Sequence, residues 1–278
     1  MSGSWMDGVT QRWVRATGRR VDLARAEWLQ GPVGRPDVIG DSWLADEAAR
    51  LGATVGDDAG TAGLLASMAA LDGPGFAAAD LAPQVRDFYE RTSRWRLDAW
   101  VAWSPWAWPF GWLVGTLFSR RLEQLALPLR PLDVAHGMTS AVTPLHRDGA
   151  QVGALWLRRL RSTGAVVFSG LYGTVPLGDG RGTAVRVAFP LPHGRLVVLL
   201  SPRVGAGGAL ELRSARAGWG GQGAYLVVET AAGCWARRIP VHERFHVHVD
   251  DEGVLRTDHD LALGPLPVLR LHYRLTPA

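Results

Sequence analysis

Between residues 137 and 275 the chain breaks into short runs rich in Val, Leu and aromatic side chains, separated by Gly, Asp and Pro, with no helical period between them. The runs fall at about 137–144, 151–161, 165–174, 183–190, 195–201, 208–215, 223–230, 233–239, 241–249, 254–263 and 267–275. Some alternate apolar and polar residues and others are continuously apolar, the two signatures of half-buried and fully buried strands. Ten or eleven strands without intervening helices pair as an antiparallel meander, closed into a barrel or folded as a sandwich. Closure also removes exposed sheet edges. The expected fold class is α+β, mainly β.

The first half of the chain has another character. Residues 1–40 carry Gly and Pro punctuation, as in QGPVGRPDVIGD, and read as a poorly specified lead-in. Helices are expected in DSWLADEAARLG, with Asp41 as cap and Gly52 as stop, and in TAGLLASMAALDGPG, with Thr61 as cap. A third is expected in DLAPQVRDFYERTSR, where Leu81, Val85, Phe88 and Tyr89 form one apolar stripe. The predicted organisation is a lead-in at 1–40, a helical cap with a Trp-rich segment at 41–128, and a barrel-like domain at 129–278.

The stretch WVAWSPWAWPFGWLVGTLF, Trp100 to Phe118, holds five tryptophans and no charge. Pro105 and Pro109 interrupt any helix running through it. From Pro109 an amphipathic pattern begins, with Phe110, Leu113, Val114, Leu117, Phe118, Leu122 and Leu125 on one face. Its uncharged part spans only about 15 Å against a hydrocarbon core of about 30 Å, so no transmembrane span is expected. Trp100, Trp103, Trp106 and Trp108 either pack beneath this helix as a satellite core or form a surface for a lipophilic ligand or a membrane interface.

Cys234 is the only cysteine, which excludes an intramolecular disulfide and a thiolate zinc cluster. The N-terminal residues show no secretory pattern, and the expected location is the cytoplasm. Every basic residue counted with Lys and Arg is an arginine, a bias that codon usage alone produces. The arginines are scattered as singles and pairs such as Arg19-Arg20, Arg158-Arg159 and Arg237-Arg238, rather than gathered into the stripe of a nucleic-acid binder.

The hairpin VHERFHVHVDDEGVLRTDHDLAL defines its own register. A three-residue loop at Asp251, Glu252 and Gly253 puts His248 opposite Arg256, His246 opposite Asp258 and Arg244 opposite Asp260. Val241, Phe245, Val247, Val249, Leu255, Leu261 and Leu263 take the other face. His246, His248, Asp258 and Asp260 are suitable metal-ligand types, but Arg244 and Arg256 among them would repel a cation, and no metal is expected. His246 with Asp258 is the candidate acid–base pair.

In VLRLHYRL, Leu269, Leu271, Tyr273 and Leu275 alternate with Arg270, His272 and Arg274. On the outside the second set would solubilise; in a lumen Arg270 and Arg274 would clamp a carboxylate. Arg159 and Arg161 pose the same choice. GWGGQG, between strands, lacks the helix a phosphate loop needs and reads as a turn. Cys234 reads as a small hydrophobe. No nucleophile-elbow, P-loop, zincin or kinase signature occurs, and no cofactor is implied.

FYERT at Phe88, LFSRRLEQLALPL at Leu117, GMTS at Gly137, WLRRLRSTG at Trp156, FPLPHG at Phe189 and RLHYRL at Arg270 resemble a family of conserved, mainly actinobacterial proteins of unassigned function. The resemblance covers about residues 80–276. It implies β-barrel content and carries over no catalytic residues. A looser likeness in layout to lipocalin and fatty-acid-binding barrels rests on strand count.

The expected function is binding of a small lipophilic molecule in the barrel, carboxylate-bearing if Arg270 and Arg274 face the lumen, with Trp103, Trp106, Trp108, Trp112, Arg270, His272 and Arg274 as ligand-binding candidates. The alternatives are a cofactor-independent isomerase or cyclase using His246 and Asp258, or a peripheral membrane or partner-binding protein docking through the tryptophans.

Overall fold

The computed structural model describes residues 5–34, 39–57, 60–107, 134, 136–178, 180–214 and 218–278. Its helices are α1 (Trp5–Thr17), α2 (Leu44–Leu51) and α3 (Pro83–Glu90). Its first three strands are β1 (Arg19–Val21), β2 (Thr54–Val55) and β3 (Trp95–Trp103). Then follow β4 (Met138–Arg147), β5 (Ala150–Leu160), β6 (Val166–Pro176), β7 (Thr183–Leu191), β8 (Gly194–Val204), β9 (Leu210–Arg213), β10 (Gly223–Thr230), β11 (Gly233–Ile239), β12 (Val241–Val249), β13 (Leu255–Leu263) and β14 (Leu266–Pro277). Each strand run read from the sequence after residue 130 forms a strand, so the mainly antiparallel β architecture stands.

The ladder runs β2-β4-β5-β6-β7-β8-β9-β12-β13-β14-β3. β8 turns the corner between two layers. Its first part, Gly194–Leu199, pairs with β10, which continues to β11 and β1. Its last part, Ser201–Val204, pairs with β9. At the far end β3 and β4 come alongside one another without entering the ladder among the described residues. The result is a barrel-like sheet with an open seam.

Two apolar cores explain the two kinds of strand pattern. One lies between the layers, where α3 inserts Val85, Phe88 and Tyr89 beside Trp156, Tyr172 and Tyr273. The other lies outside the first layer, where Leu29, Ile39, Trp43 and Ala48 cover Leu171, Ala188, Val197, Leu199 and Tyr225. Strands β6, β7 and β8 are therefore buried on both faces and read as continuous apolar runs. β14 and β3 keep one wet face and alternate.

Trp43 locks the outer core. Its Nε1 donates to Gly40 O and Ser169 Oγ, both at 3.0 Å, from a side chain that is 1 % exposed. α2 ends as its sequence suggested, at Gly52 in the left-handed conformation, φ 60°. Its first turn follows Trp43 rather than the expected cap Asp41.

The expected helix in TAGLLASMAALDGPG does not form. Only a 3-10 turn, Met68–Leu71, is present. The backbone donors of this segment are taken by α3 and the residues after it: Leu65 N donates to Tyr89 O, Leu64 N to Thr92 Oγ1 and Met68 N to the Glu90 carboxylate. Its apolar residues Leu64, Met68 and Leu71 are buried without a helix. The lead-in also orders where it is described: β1 pairs with β11, and Leu29 and Ile39 join the outer core. The largest difference is RLDAWVAW, read as part of the cap. It is β3, with Trp95, Leu97, Ala99 and Val101 inward, hydrogen-bonded to β14 at the opposite end of the chain. The expected helix from Pro109 to Leu125 lies outside the described residues.

Candidate functional site

The β12–β13 hairpin has the register its sequence specifies. His248 faces Arg256, His246 faces Asp258 and Arg244 faces Asp260. Gly253 has φ 77° in the turn. Asp250 ties the loop: Oδ1 accepts from Glu252 N and Val254 N, and Oδ2 accepts from Arg256 Nε at 2.8 Å.

The charged face of this hairpin points outward. Asp258 is engaged with His272, 2.9 Å from its Nδ1, rather than with His246. Asp260 accepts from Arg270 Nε at 2.9 Å. His246 instead stacks on His248, with ring centres 4.7 Å apart, and its Nδ1 is 3.8 Å from Glu211. Burial and the neighbouring His248 hold its imidazole below the ordinary value. Among the described residues no group of three His, Cys, Asp or Glu side chains converges to hold a metal ion.

The same parity places Arg270, His272 and Arg274 on the outside, because Leu269, Leu271, Tyr273 and Leu275 are buried inward. Of the two placements open for Arg270 and Arg274 the structure has the outer one: both are exposed, Arg270 pairs with Asp260, and they form no lumenal clamp. Trp103 is half-buried against the inner core, and Trp106 is 48 % exposed with Nε1 donating to Pro267 O. Trp108 and Trp112 lie outside the described residues.

Between the two layers is a cavity of about 280 Å³. Phe88, Tyr89, Trp156, Phe168, Phe189, Leu271 and Tyr273 supply much of its apolar wall. Besides its tyrosine phenols, four polar or charged residues interrupt that wall: Arg158, Glu243, Thr257 and His259. None was given a role from the sequence, which pointed to Arg159 on β5 and Arg161 just beyond its end. Strand parity is the signal that finds them. Arg158 shares the face of Ala154, Trp156 and Leu160, while Glu243, Thr257 and His259 occupy places on the hairpin's otherwise apolar face.

Arg158 is the least ordinary of the four. It is 8 % exposed, its Nε makes no hydrogen bond, and it has no ion pair among the described residues. Aromatic rings hold its guanidinium instead: the carbon Cζ lies 4.4 Å from the Trp156 ring centre, 4.7 Å from Phe168 and 5.5 Å from Tyr273. Cation–π contacts of this kind offset part of the desolvation of a buried cation, each by about 0.5–2 kcal/mol. They satisfy none of its N–H donors.

His259 and Glu243 form a second polar point. The imidazole lies 3.8 Å from Phe245 and nearly parallel to it, at 16°. Its Nε2 is 3.2 Å from Glu243 Oε2 but makes no hydrogen bond. Burial raises the Tyr89 and Tyr172 phenols far above their ordinary value, and Tyr172 also feels Tyr89, Arg158, Glu243 and Tyr273. Arg158, Glu243 and His259 line the same cavity as these phenols.

No protein-family model and no solved structure matches the chain. One curated protein does. Over 241 residues the chain is 28 % identical to a Bacillus subtilis (strain 168) protein named "Uncharacterized membrane protein YndJ". The match takes in 86 % of this chain and 41 % of that relative, so the chain spans about two fifths of its length. The relative is itself uncharacterised, in keeping with the resemblance to proteins without an assigned activity. Among the described residues no helix is long and apolar enough to cross a membrane.

Proposed function

We propose that the chain binds a small lipophilic molecule with an anionic head group, the apolar body in the cavity between the layers and the head at Arg158. One observation carries this reading: a buried guanidinium on the wall of an apolar cavity, with no anion and no hydrogen-bond acceptor of its own among the described residues. A buried charge without a partner is expensive, and cavities of this size suit small ligands. A carboxylate, with two oxygens in the geometry of the guanidinium fork, meets the requirement.

Native mass spectrometry of the purified protein, followed by release of any adduct, tests the reading whatever the identity of the ligand. A stoichiometric lipophilic acid supports it. Displacement of anilinonaphthalene sulfonate supplies the second arm. Dodecanoate should compete at least tenfold better than dodecanol in the native protein, and this advantage should vanish in Arg158→Met. Equal competition by acid and alcohol in the native protein would overturn it.

A second reading has its own observation. Trp106, Leu263 and Leu266 are exposed at one end of the sheet, where Leu263 pairs with Leu266 and Trp106 is fixed to Pro267 O. An indole anchored at its N–H beside two leucines suits contact with a lipid surface, and the Bacillus relative is named a membrane protein.

A further inference from the structure

Arg158 accounts for one end of a ligand, and the Glu243–His259 pair asks for something at another point. Resting on the reading above, we propose that the ligand carries a hydroxyl group as well as its anionic head, and that Glu243 and His259 receive this hydroxyl.

The chemistry of the pair narrows the choice. Glu243 offers carboxylate oxygens as acceptors, and an imidazole nitrogen can donate or accept. A second carboxylate here would stand against Glu243, a like charge in a poorly hydrated space. A ketone or ester oxygen can accept from His259 but leaves Glu243 without a donor. A hydroxyl does both, donating its one proton to Glu243 and accepting from the N–H of His259.

The geometry supports the same conclusion. The stack on Phe245 fixes the imidazole plane, so its nitrogens act only along directions within that plane. Nε2 lies 3.2 Å from the carboxylate yet is not aligned with it, which leaves a buried ring nitrogen without a hydrogen bond. Such an atom costs about 1–3 kcal/mol unless something supplies the missing bond. Both residues line the cavity that Arg158 lines, so one small molecule in it can reach both points.

The test uses dodecanoate and a series of dodecanoates with a single hydroxyl at successive positions along the chain. Each competes with anilinonaphthalene sulfonate on the purified protein. At least one hydroxylated isomer should bind about tenfold or more tighter than dodecanoate, the worth of a hydrogen bond to a charged group. That preference, read within each variant as the ratio of the hydroxylated isomer to dodecanoate, should fall to within about twofold in Glu243→Gln and in His259→Phe. A native protein with no preferred isomer, or a preference that survives both substitutions, overturns the hydroxyl proposal and leaves the amphiphile reading standing. Failure of every acid in the series, with or without a hydroxyl, overturns both.

Discussion

Arg158 on β5 reaches Tyr273 on β14, with its guanidinium carbon 5.5 Å from the ring centre, although β4 and β3 lie between these strands on the path around the seam. The contact crosses the space between the layers. It puts a cation where an apolar barrel would ordinarily have none.

Replacing Arg158 with Met should therefore separate stability from binding. The native side chain is charged, buried and without an ion pair among the described residues, so an apolar side chain of similar length removes a desolvation cost along with the cation–π contacts. Urea unfolding should show stability unchanged or higher by about 1 kcal/mol, with the advantage of dodecanoate over dodecanol lost. A loss above about 2 kcal/mol would mean that the guanidinium is structural.

Trp43 should behave in the opposite way. Its ring is buried in the outer core, and its N–H bonds both Gly40 and Ser169. Trp43→Ala should cost about 3–5 kcal/mol in urea unfolding, through the cavity it leaves and the polar groups it abandons. A cost under about 1 kcal/mol would show that this layer contributes little to the fold.

The pH dependence has a defined sign. His246 is held below its ordinary value by burial and His248, so the unfolded chain takes up a proton near pH 6.5 while the folded protein still resists it. This contribution to stability is present above about pH 6.5 and is lost as the pH falls through and below that value. His246→Gln should shrink the drop in Tm between about pH 7.5 and about pH 5.5. An identical drop in both proteins would rule out this role.

Cys234 is half-buried, and desolvation with Glu229 nearby pushes its thiol up to about 11. Little thiolate exists near neutral pH, and alkylation by iodoacetamide should be slower than that of free cysteine by more than tenfold. A rate equal to free cysteine would show the sulfur to be open and ordinary.

For the lipid-surface reading, liposome flotation decides. Trp106→Ser with Leu266→Ser should reduce the floating fraction several-fold without altering the competition by dodecanoate. Flotation unchanged by the pair of substitutions would remove these residues from any membrane contact.

The local pattern of the chain determined a good deal by itself. The strands from β4 to β14 follow from period and punctuation, and the β12–β13 register follows from its turn and its complementary charges, because both are interactions between near neighbours. The stripe of Val85, Phe88 and Tyr89 likewise announced a buried helix face. Only the tertiary structure decided which face of each strand points inward. Leu271 and His272 alternate equally well either way until β3 closes against β14, a pairing between segments far apart in the chain. That choice sends Arg270, His272 and Arg274 to water and brings Arg158, Glu243 and His259 into the cavity. Side-chain period fixes alternation, but its phase is set by what the sheet folds around.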